Sequence, residues 1–357
     1  LYSGLDGTLL WTVEGTHVRG WFGATLAAGD TDGNGSLDVV VGIPGADVSA
    51  KNAGRIETYS YPSKTPAVVR DGAQAGDRLG NFFALAGDLD GDGGRDVLVG
   101  FPKWENASGQ QLGRVRALSG ATLNGIWTRN GAVPNTCFGD ALDGLSDLDG
   151  DTVGDVLVGA LDGDQAHLLS GATGTPFHTW TGDFGSCFGT AVADAGDVDG
   201  DGVRDVIIGA HCDDTVFGTE TGSATVFSGA APYDALDFFP GSDPLGYFGD
   251  DVRGAGDVNG DGFADVIVGA WGDDTAGLDA GRAAVYSGKT GGVLLEVFGA
   301  RPGDELGIPV TGLGDVDGDG LDDVGIGACF HDRAVSFAST TSLLPLGDHG
   351  AAFVHGW

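Results

Sequence analysis

Nine residues, Asp197-Val198-Asp199-Gly200-Asp201-Gly202-Val203-Arg204-Asp205, run directly into the apolar stretch Val206-Ile207-Ile208-Gly209-Ala210. This pairing of an acidic loop with a short strand occurs six times along the chain. The other copies begin at Asp30, Asp88, Asp147, Asp257 and Asp315. Positions 1, 3, 5, 7 and 9 of the first copy are Asp30, Asp32, Asn34, Ser36 and Asp38; of the second, Asp88, Asp90, Asp92, Gly94 and Asp96. The third supplies Asp147, Asp149, Asp151, Val153 and Asp155, and the fourth Asp197, Asp199, Asp201, Val203 and Asp205. The fifth supplies Asp257, Asn259, Asp261, Phe263 and Asp265, and the sixth Asp315, Asp317, Asp319, Leu321 and Asp323. Side-chain oxygens at positions 1, 3, 5 and 9, with a main-chain carbonyl at 7, form an all-oxygen set. That set suits a hard cation taking about six to eight oxygens, which is calcium. Glycine at position 4 or 6 lets the loop curl, because it enters positive φ without steric cost. Without a cation, so many carboxylates held together would repel one another.

The flanks decide which calcium loop this is. A helix–loop–helix site places a bidentate Glu at position 12. Position 12 here is Val41, Val99, Val158, Ile208, Val268 or Ile326, each inside a β-branched run too short for a helix. The loop therefore feeds a buried strand. Solvated Asp-Gly turns alone would not require Asp at positions 1 and 9 in every copy.

The 357 residues hold 41% apolar side chains, enough for a sizeable core, and only 19% charged ones. With 68 glycines, this is the composition of a turn-dense all-β protein, not of a disordered acidic tail. The formal net charge of −35 is concentrated in the loops, which carry 22 of the carboxylates. Six bound calcium ions would bring the charge to about −23, still acidic, so neither nucleic acid nor anionic lipid is an expected partner. No apolar run is long enough to span a membrane as a helix, and no membrane insertion is expected. The chain starts at Leu1 with no Met and no secretion signal, so a preceding segment removed or absent is the expectation. Open calcium loops fill best where calcium is abundant, which favours an extracellular or cell-surface location.

Each loop lies within a longer repeat. In the fifth, Tyr247-Phe248-Gly249 leads through a small-residue strand to the loop at Asp257, then to Val266-Ile267-Val268-Gly269-Ala270. Two further strands follow, over 281–288 and 292–299. The repeats start near 22, 79, 138, 188, 248 and 306, and their glycines (Gly23, Gly80, Gly139, Gly189, Gly249, Gly307) are spaced by 57, 59, 50, 60 and 58 residues. Four short antiparallel strands at such a period predict a β-propeller blade. Ala and Gly in the first strand (Ala191, Ala193, Ala195, Gly196) fit a crowded position near the propeller axis.

Phe188-Gly189, the Asp197–Asp205 loop and Gly209-Ala210, recurring in register, resemble the FG-GAP repeat, which builds the N-terminal β-propeller of integrin α subunits. The resemblance covers nearly the whole chain. It departs at Leu79-Gly80 and Leu306-Gly307, and the Gly-x-Pro form is complete only at Gly42-Ile43-Pro44 and Gly100-Phe101-Pro102. Integrin propellers have seven blades, whereas six loops are counted here. Residues 1–11 match the end of strand three and strand four, and residues 348–355 match strand three. The expectation is one propeller domain over 1–357 with six blades, or seven as the alternative, closed by the N-terminal strand pairing with the last blade.

No catalytic constellation is present: HExxH, P-loop, GxSxG and CxxC are all missing and the seven His are scattered, so an enzyme is not expected. The resemblance implies structural calcium, about six ions, in loops between strands one and two. It implies a protein or glycan partner on the opposite face. Loops there carry Trp104, His211, Trp271 and Phe330, with Trp21 and Tyr247 beside them. Those aromatics serve recognition or fill space between blades. The reading is an adhesion, protein-interaction or surface-assembly module; the alternatives are a lectin-like propeller and, further off, a polysaccharide-degrading enzyme. Cys137 and Cys187 precede Phe-Gly, while Cys212 and Cys329 follow Gly-Ala. The repeat thereby implies that Cys187 and Cys212 meet at one end of a strand pair, where a disulfide is expected.

Overall fold

The computed structural model describes Leu1 and residues 8–329, 343–345 and 351–356. The described chain is all-β apart from one 3-10 turn at Leu161–Gly163, and it forms six four-stranded sheets. It divides near residue 180 into two compact units.

The first unit holds three sheets. The first contains β1 (Leu26–Gly29), β2 (Asp38–Gly42), β3 (Arg55–Ser60) and β4 (Val68–Asp71) in sequence order. The second contains β5 (Phe82–Leu85), β6 (Val97–Gly100), β7 (Arg114–Leu118) and β8 (Gly125–Asn130). The third contains β9 (Leu142–Gly144), β10 (Val156–Ala160), β11 (Gln165–Leu169) and β12 (Pro176–Thr181). In the second unit the fourth sheet runs β13 (Phe188–Gly196), β14 (Asp205–Ala210), β15 (Ser223–Phe227) and β16 (Ala235–Pro240). The fifth runs β17 (Asp251–Gly256), β18 (Asp265–Ala270), β19 (Arg282–Tyr286) and β20 (Val293–Phe298). The sixth begins with β21 (Leu306–Gly314) and β22 (Asp323–Ala328). Six four-stranded sheets in series fit the blade architecture of a β-propeller.

Burial explains the sequence pattern. The second strand of each sheet is apolar on both faces because both faces are covered: β14 and β18 are buried at every residue. Fourth strands such as β8 and β16 alternate toward solvent. The cores lie between successive sheets. Val226, Phe239, Phe248, Val252 and Tyr286 join the fourth and fifth, and Leu98, Val115, Phe138 and Val158 join the second and third. Within each unit, each repeat thus completes its neighbour's core, the nearest-neighbour logic of repeat folds. First strands approach so closely that a Cβ on Gly254 would lie 2.6 Å from the Asp194 carbonyl oxygen, and one on Gly144 2.5 Å from the Ala86 Cα. Small residues are required there by contact.

The two ends of the repeat motif also meet across sheets. A Cβ on Gly209 would run into the carbonyl oxygen of Gly249, and one on Gly269 into that of Gly307. Gly42 and Gly100 stand in the same relation to Gly80 and Gly139. In these four repeats the glycine that ends strand two is therefore a docking point for the Phe-Gly or Leu-Gly of the following repeat.

The sixth sheet departs from expectation. Its third position is taken by β24 (Ala351–Gly356), the stretch matched to strand three, but β24 runs parallel to β22. The fourth position is held by β23 (Leu343–Pro345), antiparallel to β24, and not by the N-terminal strand. A parallel neighbour needs a long crossover, and the 22 residues between Ala328 and Ala351 supply one. Residues 2–7, assigned to the closing strand, lie outside the described residues. Leu9, Leu10 and Trp11 belong to the first unit, where the Trp11 indole donates to the Pro62 carbonyl at 3.1 Å.

Candidate metal centres and ligand face

Each acidic loop joins strand one to strand two of its sheet, and the six share one hydrogen-bond plan. The Oδ2 of position 1 accepts from the backbone N–H of position 6 in every copy: Gly35 to Asp30 at 2.7 Å, Gly93 to Asp88 at 2.9 Å and Thr152 to Asp147 at 2.8 Å. The same bonds run from Gly202 to Asp197 at 3.0 Å, Gly262 to Asp257 at 2.9 Å and Gly320 to Asp315 at 3.0 Å. Positions 4 and 6 have positive φ throughout, and Thr152 (φ 77°) is the only non-glycine among them. At position 5, the carboxylates of Asp92, Asp151, Asp201, Asp261 and Asp319 accept from the N–H of position 7, as Asn34 does. Position 7 (Ser36, Gly94, Val153, Val203, Phe263, Leu321) thereby has its N–H turned inward.

Position 9 behaves differently. Asp38, Asp96, Asp155, Asp205, Asp265 and Asp323 are fully buried. Each accepts from the N–H of position 2 at 2.7–3.0 Å. The second oxygen of Asp96, Asp155, Asp205 and Asp265 accepts from Gly120, Gly171, Gly229 and Gly288, at the turn after strand three. These glycines follow Ser119, Ser170, Ser228 and Ser287, so a Ser-Gly pair recurs as a partner of the loop. Ser119 and Ser170 reach further, to Asp92 and Asp151 at 3.3 Å. In the first sheet the matching residue is Tyr61, whose N–H goes to Leu37, and the Oδ1 of Asp38 is left without a partner.

Carboxylate oxygens of positions 1, 3 and 9 converge to within 4.8 Å of one another in the first four loops: Asp30, Asp32 and Asp38; Asp88, Asp90 and Asp96; Asp147, Asp149 and Asp155; Asp197, Asp199 and Asp205. Asp257 and Asp265, and Asp315, Asp317 and Asp323, occupy the same positions of the fifth and sixth loops, with Asn259 donating to Asp265. Burial, reinforced by neighbouring loop carboxylates and opposed by the backbone donors, pushes Asp96, Asp155 and Asp205 up to about 6 and Asp265 up to about 7. At position 1 the exposed Asp147 is instead held below the ordinary range, chiefly by the Thr152 N–H. Hard oxygens, close spacing and a buried carboxyl that ionises reluctantly suit a divalent, oxygen-seeking cation.

At the opposite ends of these strands lies a second repeated feature. The residue before each Phe-Gly or Leu-Gly is left-handed in all six repeats: Trp21, Arg78, Cys137, Cys187, Tyr247 and Glu305, with φ of 49–57°. Non-glycine residues pay steric strain there, and a strained position that recurs in register marks a turn imposed by the fold. In the first unit the aromatics are capped by guanidinium groups, Arg114 over Trp104 at 3.6 Å and Arg78 over the exposed Trp21 at 6.0 Å. In the second unit Tyr247 stacks on Trp271 (4.7 Å, 14°) and His211 meets Tyr247 edge-on at 6.0 Å. The structure thus brings His211, Tyr247 and Trp271 together, while Trp104 belongs to the first unit. Phe330 lies outside the described residues.

Cys187 and Cys212 are brought together as the repeat implied, since Phe188 pairs with Ala210 and the Cys212 N–H donates to Ser186 at 3.1 Å. They are not bridged, however; the four cysteines are thiols. The two sulfurs share their corner with His211, all three ligand atoms lying within 4.8 Å of one another. Sequence reasoning missed this third member, the Ser-Gly clamp and the left-handed position. The first two were visible as a Gly-Ala-His-Cys string and as a Ser-Gly pair recurring at the end of strand three, whereas backbone hand leaves no mark on such varied residues.

Recurrent Phe-Gly, acidic loop and Gly-Ala on four-stranded sheets resemble the FG-GAP repeat and, through it, the integrin α propeller. The FG-GAP repeat family model matches residues 22–56. Integrin alpha-5 of Xenopus laevis is 29% identical over 186 residues, covering 48% of this chain and 18% of that protein. Integrin alpha-4 of Xenopus laevis is 33% identical over 170 residues (45% and 16%), and human integrin alpha-IIb 30% over 169 (43% and 16%). The chain spans less than a fifth of the length of these relatives. Among solved structures, BamB from Moraxella catarrhalis aligns at a TM-score of 0.35 and 18% identity, covering 73% of this chain and 60% of that one.

Proposed function

We propose that the chain is a calcium-stabilised, extracellular β-propeller of six blades that acts as an adhesion, protein-interaction or surface-assembly module. The observation that carries this reading is the six-fold acidic loop with one hydrogen-bond plan. Positions 1, 3 and 5 and the position 7 carbonyl would hold the ion, with position 9 completing the set while anchoring the loop to the sheet. Bound calcium supplies the positive charge that these carboxylates lack, and it adds its binding free energy to folding. The opposite strand ends, held rigid by the loops, are where a protein partner docks. Similarity to integrin α subunits supports adhesion over catalysis, and the surface is acidic enough to disfavour nucleic acid and membrane insertion. Among the described residues no helix is long and apolar enough to cross a membrane.

A lectin-like use is favoured by one observation, the half-buried Tyr247–Trp271 stack beside His211. Sugars dock on such aromatic faces. A binding screen of the immobilised chain against cell-surface proteins and a glycan array, each with calcium and with EGTA, tests the assignment. Calcium-dependent capture of a protein, lost in Tyr247→Ala or Trp271→Ala, supports the adhesion reading. Capture of glycans alone replaces it with the lectin reading, and turnover of a polymer overturns both.

A further inference from the structure

We propose that Cys187, His211 and Cys212 form a binding site for a borderline-soft divalent ion of the zinc class, separate from the calcium loops. The three ligand atoms lie within 4.8 Å of one another, and each residue is half-buried. A tetrahedral ion with zinc–sulfur and zinc–nitrogen bonds of about 2.3 and 2.0 Å spaces its ligands by about 3.5–3.8 Å. The cluster therefore needs only a small contraction of side chains. Calcium does not suit it, because that ion takes oxygen ligands, whereas thiolate and imidazole select zinc-class metals.

The fold holds the ligands in place by backbone, not by the metal. Cys187 occupies the left-handed position before Phe188, and Phe188 is paired across the sheet with Ala210. The Cys212 N–H donates to the Ser186 carbonyl, which closes the corner from the other side. The His211 Nδ1 lies 2.8 Å from the Thr190 hydroxyl and 3.4 Å from the Asp250 carboxylate, so Nε2 is the nitrogen assigned to the metal. Such outer partners fix the ring and raise its basicity as a ligand. Three protein ligands leave the fourth position for water or an incoming donor.

The other two cysteines show what this position does without a site. Cys137, before Phe138 in the third repeat, donates to Asp162 at 2.8 Å, and Cys329, after Ala328 in the sixth, donates to the Ile308 carbonyl at 2.9 Å. Each sits beside an oxygen acceptor; Cys187 and Cys212 lie within ligating distance of one another and of an imidazole.

The test uses Co²⁺ as a spectroscopic probe on the full chain, reduced and saturated with calcium. The expected result is one equivalent of cobalt with thiolate charge-transfer and tetrahedral visible bands, displaced by one equivalent of Zn²⁺. Cys187→Ser and Cys212→Ser each remove the charge-transfer band, and Asp250→Asn weakens cobalt binding about 10–100-fold. Cys137→Ser leaves the spectrum unchanged. Calcium-dependent melting of every variant reports that it has folded. Absence of the bands in the folded wild-type chain overturns the proposal, as does their survival in the Cys187→Ser/Cys212→Ser double variant. A non-reduced peptide map linking Cys187 to Cys212 in protein purified with zinc overturns it equally, since oxidised sulfurs cannot ligate as thiolates.

Discussion

Replacing Gly209 by Ala tests why the repeat ends in Gly-Ala. Gly209 has ordinary strand geometry, so the substitution adds no backbone strain; the only change is a methyl group. That methyl would run into the carbonyl oxygen of Gly249, with the Gly249 carbonyl carbon at 3.0 Å and Cα at 3.4 Å behind it. All three obstacles are backbone. Gly249 is itself tied down, because its N–H donates to Gly269 at 2.9 Å. Relief therefore requires the fourth and fifth sheets to separate, loosening the core that Val226, Phe248 and Val252 share. Overpacking of a rigid site costs about 1–3 kcal/mol or more, and with no flexible side chain to yield, the upper end is expected. Gly202→Ala is the comparison. Gly202 has φ of +88° but open space around its Cβ, so its cost is left-handed strain alone, about 1–2 kcal/mol. Urea unfolding in saturating calcium should rank Gly209→Ala well below Gly202→Ala and both below wild type. A Gly209→Ala chain as stable as wild type would refute the docking argument.

Two further outcomes follow from the loops. Asp201→Ala removes an exposed ligand and should abolish one calcium site with little change in calcium-free stability; Asp205→Ala also leaves the buried N–H groups of Val198 and Gly229 unpaired, and should loosen the loop with calcium or without. Thermal melts in EGTA and isothermal titration with calcium separate the two. The second outcome concerns pH. Asp96, Asp155, Asp205 and Asp265 have carboxyls raised to about 6–7 by burial, so without calcium their favourable contribution is complete below about pH 4 and is lost as pH rises through 6–7. In EGTA, melting temperature should therefore rise on acidification from pH 7 to 5. With calcium, which binds the ionised form, the trend should reverse; identical trends in both buffers would show that these carboxyls do not govern the loops.

Much of the fold could be read from spacing alone. Alternation of acidic loop and β-branched run fixes where strand two lies, and the constant interval between Phe-Gly glycines fixes the repeat. The second strand's double burial follows from Val206-Ile207-Ile208, which has no polar face to offer solvent. What could not be read was mostly long-range. The parallel placement of Ala351–Gly356 depends on the length of its connection, and its sequence resembles an ordinary third strand whichever way it runs. The loop sites were legible as ligand types, but the split between exposed position 5 and buried position 9 needed the sheet, because only packing buries one Asp and not its neighbour. For the cysteines, register correctly placed Cys187 beside Cys212, where the structure holds two thiols and not the expected disulfide, with His211, assigned to the ligand face, at the same corner.

The central claim is that all six loops hold calcium and that the fold depends on it. Elemental analysis of the chain after exhaustive dialysis against low free calcium, read beside its melting temperature with and without EGTA, tests both halves together. The account predicts close to six calcium ions per chain and a melting temperature lowered by several degrees in EGTA, restored by adding calcium back. Three or fewer ions, or a melting temperature that EGTA leaves unchanged, would mean that several of the loops are turns stabilised by their own backbone hydrogen bonds alone.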